Sequence, residues 1–325
     1  AELAYQHSQT RNLIATDVRT QPSNVSEAVG INLSQAKLMN NSLQAQISYR
    51  RQMNLFDWVT EVRGMYLRTK LARSGEAGPA GFFNNEGYYV VQTANLRDEN
   101  AGLGIAVLQL DQPYGQLLGR QLDLNATQAS GQFVTADLFT GQALAPGSSF
   151  GIIGNGLPSS SWSWRNRFSG KYWGLDVQVR ADLGHELAHL RRGELEVTIS
   201  QEVIFPASRN YLSTEYDLQG VVGFPVFTDY YVENANYLAL DYVSFSYDLL
   251  RRDKPFCTLS LTGQNLALWT NYTGLDPSPR FVDTGLEWNA ATPLLGSAGQ
   301  LAPGIDRRAF YPRARMVSLG IQLHL

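Results

Sequence analysis

Hydrophobic and polar side chains alternate strictly along the last nine residues of the chain. The hydrophobic positions are Val317, Leu319, Ile321, Leu323 and Leu325, separated by Ser318, Gly320, Gln322 and His324. Successive side chains of a β-strand point to opposite faces, so this pattern predicts a strand with one apolar face and one polar face. Strands of outer-membrane barrels have this form, and we interpret the five hydrophobic residues as membrane-facing.

The same alternation recurs throughout the chain. It predicts strands near residues 29–33, 43–49, 58–71, 173–183, 195–199, 238–249 and 259–261. The phase of the alternation slips near Asp241, as the extra residue of a β-bulge would cause. Several runs reach about ten residues, whereas strands of soluble proteins average about 5–6. A soluble β-sandwich also alternates, but strand length favours a membrane barrel, with roughly nine or ten long strands in this chain.

Connections of two lengths separate these strands. Short turns are predicted at 39–41, 53–54 and 170–171, and long irregular stretches at about 73–160, 200–236 and 269–310. Outer-membrane barrels have short turns at one end and long extracellular loops at the other, and loops commonly carry binding residues. The connections therefore fit an antiparallel barrel with long extracellular loops.

Composition excludes several other classes of protein. The chain has 325 residues and a formal net charge of -3, so no basic field suggests a nucleic-acid partner. Cys257 is the single cysteine, which leaves no disulfide framework and no cysteine metal cluster. No apolar run approaches the roughly 18 residues of a membrane helix, as expected for a barrel whose strands are half polar. The first residues do not form a signal peptide.

One motif suggests different chemistry. His185, Glu186 and His189 form H-E-x-x-H, in which a helix would place two zinc-binding imidazoles on one face beside a general base. His7 and Glu215 are the available third ligands. The motif directly follows a long alternating strand, and Gly193 leaves room for barely two helical turns. We therefore favour a loop helix with solvated histidines, and keep a zinc peptidase as the minor alternative.

No other catalytic constellation is evident. The sequence lacks G-x-S-x-G, a P-loop and paired cysteines, so we predict no enzyme activity, no metal and no cofactor. Four arginines precede or begin the terminal strand: Arg307, Arg308, Arg313 and Arg315. They either contact lipopolysaccharide phosphates or form a solvated, lumen-facing row, and we favour the second interpretation.

Four blocks of sequence resemble the SusC/RagA-type TonB-dependent outer-membrane transporters of Bacteroidota. They are PYGQLLG at 113–119, GNGLP at 154–158, NYLALDYVSFSY at 236–247, and a final block of TGQNL at 262–266, YTGLDP at 272–277, GID at 304–306 and YP at 311–312. The last block matches the family ending in order and spacing. One departure is Leu325, where these barrels usually end in an aromatic residue.

The resemblance covers essentially the whole chain and implies its architecture. Residues 1–325 would be the C-terminal part of an all-β, transmembrane antiparallel barrel, contributing about ten of about 22 strands. The plug domain and N-terminal strands would be absent, and the remaining strands would lie on another segment or chain. An open sheet leaves unpaired edges in lipid, so we expect such a complement.

The resemblance also implies partners and a role. The family imports glycans or peptides across the outer membrane with a SusD-like surface lipoprotein and with energy delivered by TonB. In this chain, TonB would act through the missing N-terminal part, and the barrel would contact outer-membrane lipid and lipopolysaccharide. The alternative role is a structural scaffold subunit of a larger outer-membrane complex. The substrate and its contact residues cannot be read from the sequence.

Overall fold

The computed structural model describes residues 1–20, 26–76, 88–94, 103–132, 134–136, 151–189, 192, 227–251, 254–278, 303–306 and 313–323. These residues form twenty β-strands, one α-helix and one short 3-10 helix at Asp229–Tyr231. The strands are β1 Glu2–Thr10, β2 Leu13–Thr20, β3 Ser26–Leu33, β4 Ala36–Gln52, β5 Phe56–Arg73, β6 Tyr88–Ala94, β7 Leu103–Gln109, β8 Gln112–Pro113, β9 Gln116–Gly119 and β10 Gln121–Leu122, followed by α1 Leu124–Ser130. After the helix come β11 Thr135–Ala136, β12 Gly151–Asn155, β13 Ser160–Gly170, β14 Trp173–Leu183, β15 Glu186–His189, β16 Val232–Asn234, β17 Tyr237–Arg251, β18 Lys254–Thr270, β19 Ile305–Asp306 and β20 Met316–Leu323.

Long antiparallel strands form one sheet, which we call the wall. Its order is β1-β4-β5-β13-β14-β17-β18-β20, and the two-residue strand β8 pairs with β5 beside this path. Strands β4, β5, β17 and β18 have 15 to 18 residues each, well above the average for soluble proteins. The all-β antiparallel fold predicted from the sequence is confirmed, with eight long strands along the path where roughly nine or ten were expected.

The predicted irregularity near Asp241 is confirmed as a bulge. Across β14 and β17, Gln178 pairs with Tyr242 and Val179 pairs with Leu240, which leaves Asp241 without an opposite residue. Across β17 and β18, the pairing jumps from Tyr242–Gln264 to Leu240–Ala267. The irregularity therefore runs through three neighbouring strands.

The predicted turns have different outcomes. The chain reverses after Met53, whose amide donates to the carbonyl of Phe56, and again between β13 and β14. The turn predicted at 39–41 is wrong, because Asn40 lies inside β4 and pairs with Ser8 on one side and Thr69 on the other. The chain turns instead at Ser34 and Gln35, where β3 ends and β4 begins.

Longer connections leave the wall at the opposite end from the short turns. We call the two ends the long-loop end and the short-turn end. The stretch predicted as irregular from 73 to 160 contains strands β6 to β12 and helix α1. The strand predicted at 195–199 lies outside the described residues. Among the described helices, none has the length and apolar character needed to cross a membrane.

Sheets from different connections meet at the long-loop end. One has the order β12-β9-β7-β6, and another has the order β16-β15-β19, in which β15 and β19 are parallel. A small apolar core lies between them, formed by Leu117, Ala188, Phe227, Tyr231 and Ile305. We call these two sheets and their shared core the loop cluster.

Candidate functional site: a two-faced wall and its loop cluster

Apolar side chains cover one face of the wall. In β20 the exposed fractions are 70% for Val317, 72% for Leu319, 66% for Ile321 and 65% for Leu323. The register places Leu319 opposite Leu261 and Leu261 opposite Phe245, so the apolar face continues across neighbouring strands. The four predicted residues therefore lie together on one exposed face, whereas Leu325 lies outside the described residues.

Aromatic side chains gather on this apolar face near the short-turn end. Trp58 stacks on Phe168 with the planes 5° apart and the ring centroids separated by 6.3 Å. Phe56 contacts both Phe168 and Trp173, and Tyr49 meets Trp58 edge to face. Aromatic rings with an apolar body and a polar tip are enriched where a membrane meets water.

Charged and polar side chains occupy the other face of the wall. The Nε atom of Arg165 lies 2.9 Å from Asp176, and Gln46 donates to Glu61 over 2.9 Å. Thr258 and Asp248 are joined by a further hydrogen bond of 2.6 Å. These groups pair with one another across strands, so much of the charge on this face is compensated locally.

A pocket opens on the polar face at the long-loop end, where the bulge lies. Its polar lining comprises Arg180, Asp241, Asn265, Asp276, Ser278, Arg313 and Arg315. Of the four arginines predicted to form a solvated, lumen-facing row, Arg313 and Arg315 line this pocket, and Arg307 and Arg308 lie outside the described residues. Sequence reasoning missed Arg180 and Asp276, although the phase slip at Asp241 marked the position.

The H-E-x-x-H motif does not form the expected loop helix. Glu186–His189 is strand β15, and His185 and His189 are only 1% and 7% exposed, so the expectation of solvated histidines is wrong. Four residues along a strand span about 13 Å, whereas one helical turn would bring the two imidazoles within about 6 Å. Pairing with β16 and β19 holds this segment extended.

Each histidine of the motif has its own partner. His185 Nε2 lies 2.9 Å from the carbonyl of Pro277, and His189 Nδ1 lies 3.1 Å from Glu233. His7 is on β1 beside Asn41, and Glu215 lies outside the described residues. Within the described ranges, no three His, Cys, Asp or Glu side chains are grouped to hold a metal ion. The zincin geometry is therefore not formed by these residues.

The carboxylate of Glu233 has several charged and polar partners in the loop cluster. Arg192 Nη1 lies 3.2 Å from its carboxylate, and Thr273 donates to it from both the backbone amide and the hydroxyl at 2.8 Å. Burial alone would raise the pKa of Glu233, but the hydrogen bonds from His189 and Thr273 outweigh it and lower the pKa to about 2. Burial also lowers the pKa of His185, against the opposing effect of its bond to Pro277.

The low pKa of Glu233 predicts an acid-labile loop cluster. A carboxyl group with a depressed folded pKa stabilises the fold above its unfolded pKa, here 4.5, and loses that contribution as pH falls towards about 2. We expect a loss of roughly 3 kcal/mol across this window. Hydrogen exchange of the Thr273 amide, which donates to Glu233, measures this loss. In the Glu233→Gln variant the amide should be less protected, and its protection should not change between pH 4.5 and about 2. The same dependence of protection on pH in both proteins would contradict this role.

Comparisons with known proteins agree with the fold described above. No family model and no curated protein matches the chain. The chain is similar over 99% of its length to a solved structure of the RagAB peptide transporter, with a TM-score of 0.68 and 14% identity. It is also similar to the RagAB peptide importer in a 'closed-closed' state, with a TM-score of 0.64 and 15% identity, and in an 'open-open' state, with 0.64 and 14%.

The chain spans about a third of the length of these transporter chains, between 32% and 33%. At this level of identity the similarity establishes the fold. The resemblance inferred from the sequence blocks is confirmed to that extent: the chain has the fold of part of a transporter barrel.

Proposed function

We propose that this chain is the C-terminal part of an outer-membrane transporter barrel and that its polar face lines the passage. The observation that carries the proposal is the difference in polarity between the two faces of β20. The apolar side chains of Leu319 and Ile321 expose about two thirds or more of their surface on one face, whereas the polar side chains of Ser318 and Gln322 lie on the other. Water disfavours such an apolar face, whereas lipid requires it.

The dimensions of the apolar face suit a bilayer. Trp58 near the short-turn end and Tyr66 near the long-loop end point to the same face, eight residues apart on β5. That spacing is about 26 Å along the strand, or about 20 Å across the membrane at a strand tilt near 40°. The apolar band of outer-membrane barrels is about 25 Å tall, bounded by aromatic residues at both edges.

Transport explains the polar face better than a scaffold role does. A scaffold needs only a closed wall, whereas the polar face carries paired charges and a pocket beside the loop cluster. Peptides are the first substrate class to test, in line with the transporters of similar fold, and glycans the second. The partners implied are a SusD-like surface lipoprotein at the long-loop end, TonB through sequence outside this chain, further barrel strands on another segment or chain, and outer-membrane lipid with lipopolysaccharide.

Fluorescence quenching tests the orientation of the wall. A bimane probe attached to Ile321→Cys should be quenched by brominated lipids in vesicles, and the same probe on the adjacent Gln322→Cys should be quenched by aqueous iodide. The buried native thiol is removed in both proteins by Cys257→Ala. Iodide quenching of both probes to the same degree, in protein that stays soluble without detergent, would contradict the proposal.

A further inference from the structure

The bulge between β17 and β18 sets the geometry of the pocket at the long-loop end. Asp241 faces two residues of β18, Asn265 and Leu266, at the jump in register. Asn265 has a φ of 53°, in the left-handed region that asparagine tolerates better than most residues. Bulges bend a strand and redirect side chains, and here both Asp241 and Asn265 line the pocket.

Arg180 and Asp241 form an ion pair without net charge in the lining of the pocket. Arg180 Nε lies 2.7 Å from one carboxylate oxygen and Nη2 lies 3.4 Å from the other. The two side chains are only 27% and 21% exposed. Since Asp241 occupies the guanidinium fork of Arg180, this pair holds the pocket in shape and leaves little for a ligand.

Two other arginines of the pocket have no hydrogen-bonded carboxylate partner among the described residues. Asn265 Nδ2 donates to the carbonyl of Ala314 over 3.0 Å, which fixes the backbone between Arg313 and Arg315. Arg313 lies 3.8 Å from Asp276, beyond hydrogen-bond distance, and its side chain is 50% exposed. Arg315 forms no ion pair with any residue that the structure describes. The backbone therefore presents two guanidinium groups, on either side of Ala314, with donors that no described residue occupies.

The charge balance of the pocket favours a single negative charge. Its described lining has three arginines against Asp241 and Asp276, a surplus of one positive charge. A guanidinium fork matches a planar carboxylate in a bidentate manner. We infer that Arg313 and Arg315 bind the carboxylate group of a solute that passes along the polar face. This inference deepens the proposed function and rests on it.

Paired probes that differ only in the carboxylate test the inference on detergent-solubilised protein containing the whole chain. The first pair is trialanine and its C-terminal amide, and the second is glucuronate and glucose. Isothermal titration calorimetry should show at least about tenfold tighter binding of the acid in one pair. Preference in the first pair identifies a peptide terminus, and preference in the second identifies a sugar acid; both outcomes support the inference.

Variants connect that preference to the two arginines. Arg315→Gln should reduce the acid preference, and the double variant with Arg313→Gln should abolish it. Asn265→Gly keeps the positive φ but removes the bond to Ala314, so it should weaken binding of the acid without changing the charge. The matched control is Arg167→Gln, which removes a half-exposed arginine from the same face outside the pocket and should leave the preference unchanged.

Two results would overturn the inference. One is that neither acid binds more tightly than its neutral counterpart. The other is an acid preference that survives in the Arg313→Gln, Arg315→Gln double variant. Neither result depends on the lipid-quenching experiment on β20, which reports on the orientation of the wall with no ligand present, so failure of the carboxylate site is distinguishable from failure of the proposed function.

Discussion

Replacing Gly156 with alanine is expected to disrupt the loop cluster. A Cβ atom there would lie 2.2 Å from the carbonyl oxygen of Pro303 and 2.4 Å from the Cα atom of Gly304. Both obstacles are backbone atoms, so relief requires the two segments to separate. A shift of Gly304 would also strain a hydrogen bond inside the cluster, because its carbonyl accepts from the amide of Ala188 in β15. We expect a loss of at least about 3 kcal/mol from the local stability of the cluster.

Hydrogen exchange of the Ala188 amide measures this loss. Gly75→Ala is the matched control: its φ of +83° strains alanine by about 1 kcal/mol, but apart from the two chain neighbours no atom of the described residues lies within 4 Å of the new methyl group. Amides in the middle of β13 and β14 report on the wall, which should stay protected in both variants. Unchanged protection of Ala188 in Gly156→Ala would show that the contact between these two backbones does not hold the cluster together.

Placing an arginine on the apolar face is expected to destabilise the wall much more than placing it on the polar face. Leu319 lies in the middle of β20 and is 72% exposed, and Ser318 is its neighbour on the opposite face. In lipid, Leu319→Arg should cost about 2–4 kcal/mol, whereas Ser318→Arg should cost less than about 1 kcal/mol. Urea unfolding of protein inserted in vesicles compares the two.

The same pair of variants separates a lipid-facing wall from a surface exposed to water. Substitutions at exposed positions of a soluble protein usually change stability by less than about 0.5 kcal/mol. Equal stability of Leu319→Arg and Ser318→Arg in lipid vesicles would therefore contradict the assignment of the apolar face. Ser318→Arg also serves as the control for adding a positive charge to β20.

The strands of the wall were predictable because a period of two is a local property of the sequence. Even the bulge at Asp241 left a local signal, since one extra residue shifts the phase of every side chain after it. The turn predicted at 39–41 failed for a complementary reason. Two adjacent asparagines favour turns, but backbone bonds to β1 and β5 on both sides of β4 outweigh that preference.

The pocket and the loop cluster were not predictable in this way. Arg180 and Asp241 are 61 residues apart, and only the register of β14 on β17 brings them together. The spacing of His185 and His189 suggested a helix, but their conformation is decided by distant partners: Glu233 on β16 and Asp306 on β19. Such pairings form only when the sheets assemble, so they cannot be predicted from the residues within one short stretch of sequence.

The parallel pairing of β15 with β19 has a consequence for the order of assembly. Every adjacent pair along the wall is antiparallel, and three of these pairs, β4–β5, β13–β14 and β17–β18, are hairpins joined by short turns. Strand β15 meets β19 only after the chain has passed through all of β16, β17 and β18. Contacts between remote segments form slowly, because the loop between them must close first. We therefore expect the loop cluster to close after the hairpins of the wall have formed, and His185 and His189 to become buried only at that late step.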